Sequence, residues 1–182
     1  TAFALGSMLS QRNYQLAIQA GSGGAIDRQL KLGQVIQVRS ERFADLGAET
    51  VDGGFLDFTE LGFLTTGPSS PFEPDGRILS SIPTEENPQS GLLPNLSVAD
   101  AISVNRVSGF APAILKLSER YPDAQVESME GAAFFYACRM RQQTCVQIRA
   151  ISNYVEVRNK ANWEIGLAIA ALNEQLRAII EG

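Results

Sequence analysis

The sequence predicts an α/β fold built as a single domain over residues 1–182. Segments rich in β-branched and other strand-forming residues, such as 14–20, 32–44, 101–107 and 145–151, alternate with segments of helical apolar spacing. A chain of 182 residues with 45% apolar content can bury one sizeable core. No internal repeat marks a second unit, and the only biased tract is rich in proline.

Residues 1–11 carry Phe3, Leu5, Met8 and Leu9 at helical spacing with no capping residue ahead of them. The run YQLAIQA reads as a buried strand that enters a tight turn at Gly21-Ser22-Gly23-Gly24, where backbone amides and the Ser22 hydroxyl can approach a ligand. That turn lacks the dinucleotide-binding spacing, and IDRQLKLGQ after it reads as a loop. Leu32 to Ala44 is a second strand, with Asp45 to Glu49 a loop whose acids are most simply solvated. Six prolines between 66 and 95 predict an irregular loop there. Ala101 to Val107 is a strand ended by Ser108-Gly109-Phe110, and a helix runs from Ala113 to Arg120. AQVES then forms a short strand. Ser128 is placed to cap a helix with Glu130 in its first turn and Ala133, Phe134, Ala137 and Cys138 on its apolar face. CVQIRAI is a buried strand stopping at Ser152-Asn153, and a helix capped by Asn162 closes the chain to about Ile180.

Composition removes several chemistries. The formal charge of −5 comes without clustered Lys and Arg among aromatics, so nucleic acid is not an expected partner. No apolar run approaches the ~18 residues of a membrane span, and no basic-then-apolar leader is visible. A soluble, cytoplasmic protein is expected. With no histidine and only two cysteines, Ser-His-Asp and Cys-His catalysis and histidine metal sites fall away. Cys138 and Cys145 fall in an apolar helix face and a buried strand and are read as reduced core thiols. Acid–base chemistry must therefore come from carboxylates.

Glu130 and Asn153 both follow strands, at the sheet edge where open α/β folds bind ligands. By position alone each has a plain role: a helix-start acid meeting the dipole, and a turn-forming asparagine. The segments ESMEGAAFFYAC and IRAISN, at this separation, resemble the ribose-binding and base-binding motifs of the purine nucleoside phosphorylase and methylthioadenosine nucleosidase superfamily. ISNYVEVRN-x-x-NW resembles the futalosine hydrolases within it. The resemblance runs along the whole chain and weakens from Thr66 to Leu96.

This resemblance implies a three-layer αβα sandwich around a mixed, largely parallel sheet, with no cofactor or metal and a homo-oligomer of two or more chains. It implies hydrolysis of futalosine to hypoxanthine and dehypoxanthinylfutalosine in menaquinone biosynthesis. The alternatives on the same fold are a phosphorylase, an adenine-releasing nucleosidase and a non-catalytic nucleoside-binding paralogue. Glu130 would hold the ribose hydroxyls, Met129 the sugar face, and Ser22 would lie near the ribose or the nucleophile. Asn153 would face the base, where adenosine-type enzymes carry aspartate. Phe110 would stack on the base or is core, and Phe72 would contact the pocket from the proline-rich loop or lies on an ordinary surface loop. Phosphorylases place an arginine where this chain has Gln19, so water is the expected nucleophile. The resemblance also implies that the family's opening strands, with the carboxylate that activates water, precede Thr1. Without them the sheet is expected to expose an edge.

Overall fold

The computed structural model describes residues 1–65, 67–82 and 96–181. Its main sheet has six strands, ordered β5 (Ile78–Leu79), β2 (Val35–Phe43), β6 (Ser97–Ser103), β7 (Val126–Ser128), β1 (Ala17–Ala25) and β8 (Cys145–Tyr154). The pairs β2/β6, β6/β7 and β1/β8 are parallel, while β1/β7 and β2/β5 are antiparallel. Val35–Val38 also pair antiparallel with Gln147–Ala150, so β2, β6, β7, β1 and β8 close into a ring.

Strand residues alternate between faces, and β8 uses both. Val146 and Ile148 point to the helix α4 (Ile165–Glu181), whose Leu172, Leu176 and Ile179 pack on them. Cys145 and Ile151 point the other way, into a core shared with Phe134, Phe135 and Cys138 of α3 (Gly131–Met140). Helix α1 (Ala2–Gln11) packs on α3. Helix α2 (Ala111–Arg120) covers a smaller cluster of Ile102, Val104 and Tyr121 through Leu117. Helices on both faces of the sheet give the three-layer sandwich.

Several elements depart from the sequence-based expectations. β1 begins at Ala17, later than Tyr14, and runs straight through the glycines where a tight turn was expected. None of Gly21, Gly23 and Gly24 has positive φ, so their role is close approach of neighbours. β6 lies four residues earlier than the 101–107 strand, because Asp100, a loop-like residue by type, is buried inside it as the partner of Arg39 and Ser40. The expected loop at 45–49 contains β3 (Gly47–Glu49), paired with β4 (Phe55–Asp57). α3 starts at Gly131, with Glu130 at its N-cap position instead of in the first turn. Asn162 does not cap α4. Its amide donates to Glu156, while Asn159 caps a short 3₁₀ turn at Lys160–Asn162. Within the proline-rich tract β5 is regular, and Thr66 and 83–95 lie outside the described residues.

Over 17–23, β1 pairs only with β8 among the described residues, and Ile18 on it is 37% exposed. No helix among the described residues is long and apolar enough to cross a membrane.

Candidate functional site

A cavity of about 500 Å³ opens where the ends of β1, β7 and β8 meet. β1 supplies Gln19 and 21–24, the β7–α3 junction supplies Glu127 to Glu130, and β8 supplies Arg149, Ser152 and Asn153, with Val107 and Trp163 at the sides. Glycine in β1 makes room for the neighbours. A Cβ on Gly21 would meet Arg149 Nη1 at 2.5 Å, and one on Gly23 would meet Val126 Cγ1 at 2.8 Å.

Arg149 is the hub. Its side chain is 3% exposed, and its Nε donates to Gln147 Oε1 at 2.7 Å. Nη1 donates to the Ser22 carbonyl at 3.2 Å and to Glu130 Oε2 at 3.4 Å, and Nη2 donates to Gln19 Oε1 at 3.1 Å. Burial lowers its pKa, opposed by the charges of Glu41 and Glu130. Glu130 is half exposed, so one carboxylate is both anchored to a buried cation and open to the cavity.

Beneath Glu130 lies a fully buried carboxylate. Glu41 Oε2 accepts from Ser103 Oγ at 3.0 Å and Oε1 from Ser128 Oγ at 3.3 Å. Those hydroxyls in turn accept from the first amides of α3, Ala132 N at 2.8 Å and Gly131 N at 3.3 Å. Two serines from different strands thus cap the helix that presents Glu130. A Cβ on residue 131 would fall 1.7 Å from Glu41 Oε1, so this junction requires glycine. Burial pushes the Glu41 carboxyl up to about 7 against the pull of Arg149, Gln147 and both serines.

Asn153 is 9% exposed. Its Oδ1 accepts from Ser152 Oγ at 2.8 Å and its Nδ2 donates to the Tyr154 carbonyl at 3.1 Å, which leaves one N–H for a ligand. Ser22 and Met129 line the cavity, Met129 being 48% exposed. Phe110, at the start of α2 and 68% exposed, lines a second cavity that meets the first at Val107. Phe72 packs between Phe58 and Tyr136 with ring centroids at 5.1 and 5.7 Å, outside the cavity lining. Asp45 accepts from Asn105 through both carboxylate oxygens and lines the second cavity with Glu49. Sequence reasoning missed Arg149 and Glu127, which line the cavity, and Gln147 and Glu41, the buried neighbours of Arg149. The signal was there: charged and amide side chains inside β-branched runs, where long polar groups are rarely buried unless paired.

The family model of the phosphorylase superfamily matches residues 3–182. The chain belongs to the phosphorylase superfamily. Among superfamily relatives it is 34% identical over 166 residues to a futalosine hydrolase of Streptomyces coelicolor, covering 91% of this chain and 65% of that protein. To a futalosine hydrolase of Thermus thermophilus it is 30% identical over 183 residues, covering 98% and 75%. The chain thus spans 65–75% of the length of these relatives. Its fold matches a methylthioadenosine/S-adenosylhomocysteine nucleosidase of Neisseria meningitidis in complex with methylthio-immucillin-A, with TM-score 0.72 at 18% identity over 99% of this chain and 75% of that one. It also matches the futalosine hydrolase of Helicobacter pylori, with TM-score 0.71 at 15% identity over 99% and 73%.

Proposed function

We propose that this phosphorylase-superfamily protein is an N-ribosyl hydrolase that cleaves futalosine with water to hypoxanthine and dehypoxanthinylfutalosine, a step of menaquinone biosynthesis. The observation that carries hydrolysis over phosphorolysis is the environment of Gln19. Its amide oxygen accepts from Arg149, and that guanidinium already serves Gln147, Ser22 and Glu130. Among the described residues no bidentate phosphate clamp is left at this end of β1. The futalosine hydrolases among its relatives support the substrate.

Cleavage of the N-glycosidic bond builds positive charge on the sugar and negative charge on the base. Glu130 accepts from the ribose 2′- and 3′-hydroxyls and sets its charge beside the developing cation, held in place by Arg149. Met129 covers the sugar face and Ser22 lies beside the ribose. The remaining Asn153 N–H donates to the O6/N7 edge of hypoxanthine as negative charge arrives there. Phe110 stacks on the base from the neighbouring wall, whereas Phe72 is taken as core. For the distal carboxylate of the substrate, Arg42 is already paired with Asp123 and Asp75. Arg158 stacks on the cavity residue Trp163 at 5.6 Å and is assigned that contact. The protein acts in the cytoplasm as a homo-oligomer, consistent with two buried unbridged thiols and exposed Leu167 and Ile169 on α4.

The test is product analysis of the full-length protein with futalosine in the presence and absence of phosphate. Hypoxanthine with a free sugar product, independent of phosphate, is expected. A sugar 1-phosphate formed only with phosphate overturns the proposal.

A further inference from the structure

Glu130 faces the cavity from the N-cap position of α3, yet its own side chain makes no capping bond to that helix. Its place is set from outside, by two supports. One is Arg149, which donates to Glu130 Oε2 at 3.4 Å from β8. The other is the pair Ser103 and Ser128, whose hydroxyls accept from the amides of Ala132 and Gly131 at 2.8 and 3.3 Å and so fix the first turn. Both supports lead to Glu41, which is fully buried and does not line the cavity. Its Oε2 accepts from Ser103 at 3.0 Å and its Oε1 from Ser128 at 3.3 Å. A hydroxyl has one proton, and with that proton committed to Glu41 its lone pairs are turned to the helix amides. Among the described residues the charge that acts on Glu41 is that of Arg149, with Gln147 beside it on β8, while β6 and β7 face it with hydroxyls. The start of α3 closes the last side. The carboxylate is wedged against it, since a Cβ on Gly131 would meet Oε1 at 1.7 Å.

We propose that Glu41 is a positioning residue for ribose recognition: through Ser103 and Ser128 on one side and Arg149 on the other, it holds Glu130 where its carboxylate meets the two ribose hydroxyls. This rests on the reading of Glu130 as the ribose-binding carboxylate. Glutamine at position 41 would keep the volume and change the network in two ways. Its amide nitrogen would stand opposite one of the serine hydroxyls, which must then turn its proton elsewhere, and the turn that carries Glu130 loosens. Of the two carboxylates that act on Arg149 only Glu130 would remain, so its charge is drawn to the guanidinium and away from the sugar. Both changes weaken the same two bonds. Asn153, held by Ser152 and the Tyr154 carbonyl, lies outside this network, so the base-binding end is left as it is.

The experiment is calorimetric binding to the full-length protein, so it does not depend on turnover. The probes are formycin B, a ribonucleoside whose carbon–carbon glycosidic link is not hydrolysed, its 2′,3′-dideoxy form, and free hypoxanthine as a control for the base-binding end. In wild-type protein, loss of both hydroxyls is expected to weaken binding by at least ~10²-fold, as two charge-assisted bonds disappear. In Glu41→Gln that penalty should fall by at least ~10-fold, while hypoxanthine binding stays within ~3-fold of wild type. A folded Glu41→Gln protein that keeps the wild-type penalty overturns the proposal. So does one in which hypoxanthine and both nucleosides weaken alike, the sign of a general loosening. Should Glu41→Gln not fold, Ser128→Ala, which cuts one of the two hydroxyl links, decides on the same terms. Wild-type protein indifferent to the two hydroxyls removes Glu130 from the ribose and overturns this proposal with it. If futalosine is not hydrolysed but the hydroxyl penalty follows Glu41, the hydrolase reading falls and this one stands. If hypoxanthine is released from futalosine but the penalty is indifferent to Glu41, the hydrolase reading stands and this one falls.

Discussion

Replacing Glu41 by glutamine should flatten the dependence of stability on pH across neutrality. Glu41 is fully buried, and its carboxyl titrates at about 7 in the fold against 4.5 in the unfolded chain. The folded state therefore binds the proton more tightly. The stability that the neutral form contributes is fully present below pH 4.5 and is lost as pH rises towards 7, after which the difference is constant. At ~1.4 kcal/mol for each tenfold change in proton affinity, a rise from 4.5 to about 7 corresponds to about 3 kcal/mol. Glutamine resembles the neutral form and carries no such dependence. The chain has no histidine, so the usual source of titration in this window is missing. Contributions of Glu127 and Cys145 are common to both proteins and cancel in the difference. Urea unfolding at intervals from pH 4.5 to 8 measures it. Wild-type stability should fall by about 3 kcal/mol relative to Glu41→Gln over that range. Parallel curves would mean that Arg149 and the two serines keep Glu41 ionised throughout, and the balance of burial against pairing at this junction would be the reverse of the one described.

On the proposed role of Glu130, Glu130→Gln should lower kcat/KM by at least ~10²-fold with the fold retained, because it would weaken two charge-assisted bonds to the ribose and remove the charge facing the oxocarbenium. Near-wild-type kinetics in a folded variant would return Glu130 to a helix-start role. Asn153→Asp should shift preference from hypoxanthine towards adenine nucleosides by ~10² or more, since it sets a carboxylate oxygen against O6 and also against the Tyr154 carbonyl that Nδ2 now serves. Competition between inosine and adenosine on both proteins gives the ratio, and an unchanged ratio would remove Asn153 from the base.

Motif and periodicity made part of this legible. The helix after Glu130, the strand that carries Asn153 and the final amphipathic helix all stand within a few residues of where apolar spacing puts them. β1 was expected only as far as Ala20, because glycine has poor strand propensity. Its nine-residue register with β8, Ala17↔Cys145 through Ala25↔Tyr154, overrides that local preference. The buried polar layer was hidden for a different reason. In a strand facing water on one side, Arg149, Gln147, Glu41 and Glu127 would be solvated alternates. Only ring closure through β2 and β8, with α3 laid across it, turns those positions inward, and closure between strands more than a hundred residues apart leaves no mark on local spacing. Glu130 and Asn153 were singled out through their motifs, whereas their hydrogen-bond partners emerge only from pairing.

The proposed reaction joins water, and not phosphate, to the ribose of futalosine. Its most direct measurement is futalosine turnover in buffer free of phosphate, with hypoxanthine quantified and phosphate then added back. Hypoxanthine should be released at a rate that phosphate leaves unchanged. Turnover that begins only when phosphate is added, with a sugar 1-phosphate as product, would contradict it.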